Sequence, residues 1–292
     1  MHAQSSNVTV LSRLLKAQLI GTLAVLPAVA QTPEAPVSSM IATEIARHRP
    51  APFRFHERRY DGTVTSENWS GYAVTGTNVT DVKGSWVVPA VTCPTTTVSP
   101  RSRFQPQQDE YAAFWVGIDG YSSNTVEQVG TDSDCDGSQA TYYAWFEFYP
   151  RPGYLVNNFS VAPGNLISAE VTYSSTTKQF TVTLSNVSTG RSFSTSMSVP
   201  SAARSSAEWI TEAPSSGSGA NSILTLADFG TADFGQNYTG IANTCSATIN
   251  GTPGSIGSFS TWEAITMVSS SGADEAVPSG LANPASFVMA WK

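Results

Sequence analysis

The stretch KQFTVTLSNVSTGRSFSTSMSV, residues 178–199, decides the fold class of this chain. Apolar and polar residues alternate along its first half, with the apolar positions at Phe180, Val182 and Leu184. A turn at Thr189-Gly190 follows, and the alternation resumes from Phe193. Because successive side chains of a strand point to opposite faces, this pattern predicts a β-hairpin with one buried face.

The same alternation recurs through the body of the chain, from about residue 64 to the end. It predicts a strand over residues 167–173 and a last strand over residues 287–291. No stretch of the body carries the long 3.6-residue apolar periodicity of an amphipathic helix. The sequence therefore predicts an all-β body, most simply two packed antiparallel sheets.

Charged residues are scarce and unevenly distributed. They make up 13% of the 292 residues, about half the usual share. Residues 1–63 contain seven basic and four acidic side chains, whereas the remaining residues contain eight basic and eighteen acidic ones. Because phosphate binding requires a basic face, the acidic body argues against nucleic acid as a partner.

The first 63 residues predict two segments ahead of the functional body. In residues 1–30, basic residues precede the apolar run LIGTLAVLPAVA, which is too short to span a bilayer and ends in a small-x-small cleavage pattern. We interpret them as an export signal, with an amphipathic helix of a cytosolic protein as the alternative. Residues 31–63 are basic, and we interpret them as a propeptide that covers and inhibits an acidic cleft, with a disordered spacer as the alternative. The body, residues 64–292, is then a secreted domain without membrane association after processing.

The cysteine pattern is sparse. Cys93, Cys135 and Cys245 are too few for a disulfide scaffold, and no spacing resembles a zinc site. Two of three cysteines are expected to pair in an exported protein. We favour the pair Cys93 and Cys135.

The positions of the histidines limit the catalytic chemistry. His2, His48 and His56 all precede the body, which therefore contains none. This excludes Ser-His-Asp and Cys-His catalysis, the common zinc sites and imidazole acid–base chemistry. No Gly-rich loop opens a helix, and the Asp-Thr-Gly and Asp-Ser-Gly motifs of paired-aspartate proteases are absent. Carboxylate-dependent peptidases and glycoside hydrolases remain.

Tryptophan is concentrated in short motifs of the body. We interpret Trp69, Trp115 and Trp145 as the wall of a binding groove, because they occur beside Gly, Asp and Glu. Trp86, Trp262 and Trp291 are weaker candidates for that wall.

Six blocks follow one another through the body, namely NWSGYAV (68–74), GSWVVPAV (84–91), FWVGIDGYSSNTVEQVGTD (114–132), YYAWFEFYP (142–150), AEWITEAP (207–214) and LADFG (226–230). In this order they resemble the glutamic peptidases, also called eqolisins after their Gln-Glu catalytic pair. The resemblance covers about residues 64–292. It implies a β-sandwich of two long, curved antiparallel sheets, of the concanavalin A-like lectin and glucanase type, with a substrate cleft on one concave face.

The resemblance also implies a monomeric, acid-acting endopeptidase that cleaves polypeptides without metal or cofactor. The family glutamine falls on Gln128 and the family glutamate on Glu212. Glu212 would activate water and then protonate the leaving amine, while Gln128 would stabilise the oxyanion. A glutamate suits this role in acid because its ordinary pKa is about 4.3. Substrate-binding positions of the family fall on Trp69, Trp115, Asp119, Gly120, Asp132, Trp145 and Glu147.

Glu208 and Glu212 lie four residues apart in AEWITEAP. In a strand they share a face at a separation of about 13 Å, which is too far for a coupled carboxylate pair. We therefore predict that Glu208 supports the site or lies at its rim.

Two other functions remain open at this point. One is a glycoside hydrolase on a related sandwich, with Glu212 paired to Glu147 or Asp132. The other is a non-catalytic, lectin-like module whose aromatic wall binds sugar or peptide.

Overall fold

The computed structural model describes residues 41–44, 53–95, 108–216 and 223–292. The predicted export signal lies outside these residues, as does much of the predicted propeptide. Within them the regular secondary structure is nearly all strand, with one short α-helix, α1 (Gln236–Thr239), and a 3₁₀ turn at Ile256–Ser258. The prediction of an all-β fold is confirmed.

The strands of the described residues are, in chain order, β1 (Ile41–Glu44), β2 (Phe55–Arg58), β3 (Val64–Ser66), β4 (Trp69–Thr75), β5 (Val79–Val87), β6 (Ala113–Ile118), β7 (Val126–Asp136), β8 (Gln139–Tyr149), β9 (Tyr154–Val156), β10 (Leu166–Ser174), β11 (Gln179–Asn186), β12 (Arg191–Met197), β13 (Ser206–Glu212), β14 (Thr231–Phe234), β15 (Ser246–Ile249), β16 (Thr252–Ser255), β17 (Trp262–Val268), β18 (Asp274–Pro278) and β19 (Phe287–Trp291).

These strands form two layers. The front sheet has the order β9-β8-β7-β6-β13-β4-β17, extended by β1 beyond β9 and by β3 and β2 beyond β17. The back sheet has the order β12-β11-β10-β5, and β14 and β15 both pair with β5. Strands β18 and β19 connect β17 to β14. The pairs are antiparallel except for β17 with β3, which is parallel and which the alternation pattern does not predict.

The hairpin that decides the fold class is β11 and β12. Phe180 lies opposite Met197, and Leu184 lies opposite Phe193. Gly190 has a φ of 70° in the connecting turn, a conformation that glycine adopts without strain. The predicted strands over residues 167–173 and 287–291 are β10 and β19.

The main core lies between the two layers. Phe146 of the front sheet packs against Phe193 of the back sheet, with ring centroids 5.2 Å apart. Trp209 of β13 donates its indole N–H to the carbonyl of Lys83 at 2.7 Å. Buried indoles need such partners, and these bonds tie the two layers together.

The tryptophans divide by location. Trp86 and Trp209 lie in the main core, whereas Trp69, Trp115 and Trp145 form a second apolar cluster with Ile210 and Ile265. Trp262 and Trp291 are 42% and 38% exposed.

Cys93 and Cys135 form a disulfide, so the predicted pairing is confirmed. Cys245 is free and buried. Burial raises the pKa of its thiol to about 12, and the thiol therefore stays protonated. None of the helical segments in the described ranges has the length and apolar character needed to cross a bilayer.

Candidate active site

Strand register brings the predicted site residues together in three adjacent rows of the front sheet. The rows contain Glu147, Gln128, Gly117 and Glu208; then Trp145, Gly130, Trp115 and Ile210; then Tyr143, Asp132, Ala113, Glu212 and Trp69. Directly opposed residues of antiparallel strands point to the same side of a sheet. Their neighbours Phe114, Val129 and Trp209 point into the main core, so all three rows point to the opposite side, which we call the outer face.

Gln128 and Glu212 therefore share one face, in rows two apart, with strand β6 between them. Their backbones are separated by four residues along the strands, which is about 13 Å, and by two strand spacings across the sheet, which is about 9.6 Å. Both side chains are nearly inaccessible, with exposures of 1% for Gln128 and 0% for Glu212.

Trp115 lies in the row between these two residues. Its Nε1 donates to Glu212 Oε2 at 2.9 Å. A methyl group on Gly117 would lie 2.9 Å from Trp115 Cζ3 and 3.3 Å from Gln128 Cβ, so the far edge of the ring lies over Gly117, which is directly opposite Gln128. Gly117 has to lack a side chain for the indole to take this position.

The Gln128 amide is held on one side and unpaired on the other. Its Nε2 donates to Glu147 Oε2 at 2.8 Å. Its Oε1 is buried and accepts no hydrogen bond from any described residue. A buried amide oxygen without a donor is costly, which indicates that a water or ligand group belongs at this position.

Asp132 is the acceptor of an aromatic network in the third row. Trp145 Nε1 donates to Asp132 Oδ1 at 2.5 Å. The Tyr143 hydroxyl lies 2.9 Å from Asp132 Oδ2 and 2.6 Å from Asp134 Oδ2. Burial and the two carboxylates raise the pKa of Tyr143 well above its ordinary value, so the phenol stays protonated and donates.

Asp119 and Gly120 are placed at the edge of the site, where they support other residues. The Asp119 carboxylate accepts the backbone N–H groups of Arg204 at 2.6 Å and Ser205 at 2.8 Å, which fixes the start of β13. A side chain on Gly120 would lie 2.8 Å from Trp69 Cη2, so glycine makes room for that ring.

Glu208 is not a rim residue. It is 0% exposed, lies in the same row as Gln128, and neither carboxylate oxygen has a hydrogen-bond partner among the described residues. Burial raises the pKa of Glu208 well above its ordinary value, and nearby Asp119 and Glu127 act in the same direction. We therefore assign Glu208 as a buried neutral acid on the outer face.

Sequence reasoning missed two further residues near the site. Glu127 is 0% exposed, and burial followed by the charge of Asp119 raises its pKa to about 9. Tyr121 follows Gly120 directly and packs at the edge of the aromatic cluster. Only their positions beside Gln128 and Gly120 in the sequence could have drawn attention to them.

Part of the predicted propeptide covers this edge of the outer face. The Phe53 ring lies 4.7 Å from Tyr121 and 5.6 Å from Trp69, measured between centroids. Arg58 forms a two-bond ion pair with Glu263 at 2.9 Å, and Arg59 contacts Asp274 at 2.5 Å.

Among the described residues, no group of three or more His, Cys, Asp or Glu side chains is arranged to hold a metal ion.

Residues 67–277 match the model of the Peptidase A4 family. Aspergillopepsin-2 of Aspergillus niger is 32% identical over 191 residues, which cover 60% of this chain and 66% of that protein. Scytalidopepsin B of Scytalidium lignicola is 31% identical over 166 residues, which cover 56% of each. The chain thus spans slightly less than two thirds of the first relative and just over half of the second.

Solved structures share the fold. Scytalido-glutamic peptidase bound to a transition state analog inhibitor superposes with a TM-score of 0.62 at 23% identity, covering 77% of this chain and 98% of that one. Aspergilloglutamic peptidase from Aspergillus niger superposes with a TM-score of 0.51 at 24% identity, covering 63% and 99%. These likenesses confirm the β-sandwich architecture. Because the family model matches most of the body, the chain belongs to the Peptidase A4 family, the eqolisins that its sequence blocks resemble.

Proposed function

We propose that the protein is an endopeptidase that hydrolyses polypeptides in acid with Gln128 and Glu212 as its catalytic pair. The observation that supports this most directly is the Trp115 indole, which holds the Glu212 carboxylate on the face that also carries Gln128. Membership of a peptidase family supports the reaction class.

In the proposed mechanism Glu212 acts first as a base. It removes a proton from water, and the water oxygen forms a bond to the scissile carbonyl carbon. The Nε2 of Gln128 donates to the resulting oxyanion with the hydrogen that does not bind Glu147, while its unpaired Oε1 accepts from the attacking water. Protonated Glu212 then gives its proton to the amine as the C–N bond breaks.

The residues around this pair have binding roles in the proposal. Trp69, Trp115 and Trp145 form an apolar wall for the substrate. Glu147 positions the Gln128 amide, and Asp132 positions the Trp145 ring. Asp119 and Gly120 shape the edge next to Trp69.

We further propose that the enzyme is exported as a proenzyme. The apolar run in residues 1–30 and the Cys93–Cys135 disulfide support an oxidising destination. The contacts of Phe53, Arg58 and Arg59 support a propeptide that occupies part of the cleft until it is removed.

The test is digestion of a denatured protein at about pH 3–4, around the ordinary pKa of glutamate. We expect Glu212→Gln to abolish cleavage, and Gln128→Ala to lower kcat by about 10²–10³ through loss of an oxyanion donor. Glu170→Gln and Gln139→Ala change the same residue types outside the site and should retain activity. Mass spectrometry of the fragments and of the enzyme's N-terminus reports hydrolysis and maturation together.

Glu208→Gln tests the assignment between the two glutamates of β13. If Glu208→Gln abolished cleavage while Glu212→Gln retained it, the roles would be reversed, since Glu208 shares a row with Gln128. Full activity in Glu212→Gln or Gln128→Ala would exclude the proposed mechanism.

A further inference from the structure

The segment that leads into β2 lies along the front sheet as an extended peptide. Arg54 N donates to Asn68 Oδ1 at 2.9 Å, and Glu67 N donates to Arg54 O at 3.0 Å. Beyond this point Phe55 pairs with Ser66 in antiparallel register. The bond from Glu67 N and the pairing of β2 with β3 are main-chain contacts, which hold a bound peptide strand irrespective of its sequence, and pockets for alternate side chains then provide specificity.

Phe53 inserts its ring into such a pocket. Tyr121 and Trp69 contact the ring at the centroid distances given above, and Gly120 leaves the space that Trp69 requires. Phe55, two residues further on, is 59% exposed. The Phe53 ring thus packs in the cleft, whereas the Phe55 ring lies at the surface.

The pocket is next to the proposed catalytic pair. The rings of Trp69 and Trp115 meet edge to face with centroids 4.8 Å apart, and Trp115 donates to Glu212. Phe53 is therefore separated from the proposed base by two indole rings in contact. A side chain bound in this pocket would fix the position of the adjoining backbone relative to Glu212.

We propose that Trp69, Gly120 and Tyr121 form a subsite that selects an aromatic side chain of the substrate, and that Phe53 fills this subsite until its segment is released. The inference rests on the proposed function, because it assigns a substrate preference to the same cleft. Aromatic rings favour edge-to-face and tilted contacts with other rings, and this preference gives the subsite its selectivity over aliphatic side chains. The ion pairs of Arg58 and Arg59 hold the segment in place from the far end of β2.

The test measures binding instead of hydrolysis. Full-length protein carrying Glu212→Gln is titrated calorimetrically with two hexapeptides, one containing a single Phe among Ala and Ser and one with Ala in its place. We expect Phe53→Ala, added to this chain, to tighten binding of the Phe peptide by about tenfold or more. Binding of the Ala peptide should not change. Phe55→Ala is the matched control and should have no effect on either peptide.

Tyr121→Ala, added to the Phe53→Ala chain, should remove the gain for the Phe peptide. Thermal melts of each variant verify that it is folded. Equal binding of the Phe peptide with and without Phe53, or equal binding of the two peptides after its removal, would overturn the subsite. Failure of the proposed function has a different signature, since mass spectrometry would then show either no cleavage of peptides by the unaltered protein in acid or cleavage of the peptides by the Glu212→Gln chain.

Discussion

One indole N–H helps to hold the proposed base in place. Trp115 donates to Glu212 at 2.9 Å in a site with no measurable exposure of either residue. A hydrogen bond to a charged group is worth about 1.5–3 kcal/mol, and burial makes the loss of a partner expensive. This contact therefore helps to orient the carboxylate on the outer face.

Replacing the indole by a ring without a donor isolates this contact. We expect Trp115→Phe to lower kcat/KM by about 10–100-fold with the fold retained, because an apolar ring still fills the space above Gly117. Trp86→Phe is the control, since its indole donates to Thr131 at 2.9 Å within the main core. That variant should lower the melting temperature and leave the activity of the folded protein unchanged. Equal activity of Trp115→Phe and wild type would show that the contact does not orient the base.

Glu127 links the stability of the protein to pH. Its pKa is about 9 when folded, against an ordinary value of about 4.5, so the folded state retains a proton that the unfolded state loses. The contribution of Glu127 to the free energy of unfolding is fully present below about pH 4.5, and it is lost progressively as the pH rises towards 9. Glu208, with its raised pKa, shifts stability in the same direction.

Removing the titrating group should flatten this dependence. We expect Glu127→Gln to raise the free energy of unfolding at pH 7 by about 2–3 kcal/mol relative to wild type, since one pKa unit corresponds to about 1.36 kcal/mol. At pH 4 the two proteins should be equally stable. Urea denaturation at both pH values provides the comparison, with Glu170→Gln, on the back sheet, as the control. If Glu127→Gln raised the free energy of unfolding by the same amount at pH 4, proton binding by Glu127 would not be the cause of the stabilisation.

At the scale of the strand, glycines determine how closely β6 and the rings above it approach. Gly117→Ala would place a methyl group 2.9 Å from Trp115 Cζ3 and 3.2 Å from the Glu127 carbonyl oxygen. We expect this variant to lose at least tenfold in kcat/KM, with a loss of stability of about 1–2 kcal/mol. Gly280→Ala, where no atom lies within 4 Å, is the matched control and should be neutral in both respects. Activity and thermal melts of the two variants measure the difference.

The strands that were predictable from sequence alone are those with one face in the core and one in solvent. β10 and β11 alternate in burial along most of their length, and their sequences alternate accordingly. β6, β7 and β13 are buried along both faces, so the period-2 signal is absent, and only the family resemblance located them. β2 was missed because its residues were interpreted as part of a propeptide, although it pairs with the next strand, β3. The parallel pairing of β3 was missed because its partner, β17, lies far along the chain.

The candidate site was predictable to a similar degree. The resemblance supplied Gln128 and Glu212, and the structure places both on the outer face. The burial of Glu208 and Glu127 and the wall formed by Tyr121 could not be read from local sequence, because they result from the register of four strands. Position along the chain indicates which residues are candidates, but register decides which of them meet.

At the scale of the whole molecule, charge is divided between the basic leading segment and the acidic body. Arg58 and Arg59 bring two of those positive charges onto Glu263 and Asp274, which belong to β17 and β18. Each exposed ion pair is worth only about 0.2–1 kcal/mol, but the two act on one short hairpin. Their joint removal should let β2 detach more often without unfolding the sandwich.

Limited proteolysis measures that detachment, because trypsin cuts after Arg58 and Arg59 only when the hairpin opens. In full-length protein that also carries Glu212→Gln, so that the chain cannot process itself by the proposed mechanism, we expect Glu263→Gln with Asp274→Asn to increase the cleavage rate several-fold at low salt. The advantage should shrink at high salt, where the ion pairs of the parent chain are screened as well. Glu170→Gln removes an acid outside this contact and should cleave at the parent rate. An unchanged rate in the double variant would show that the hairpin is held by strand pairing and by Phe53 instead of by charge.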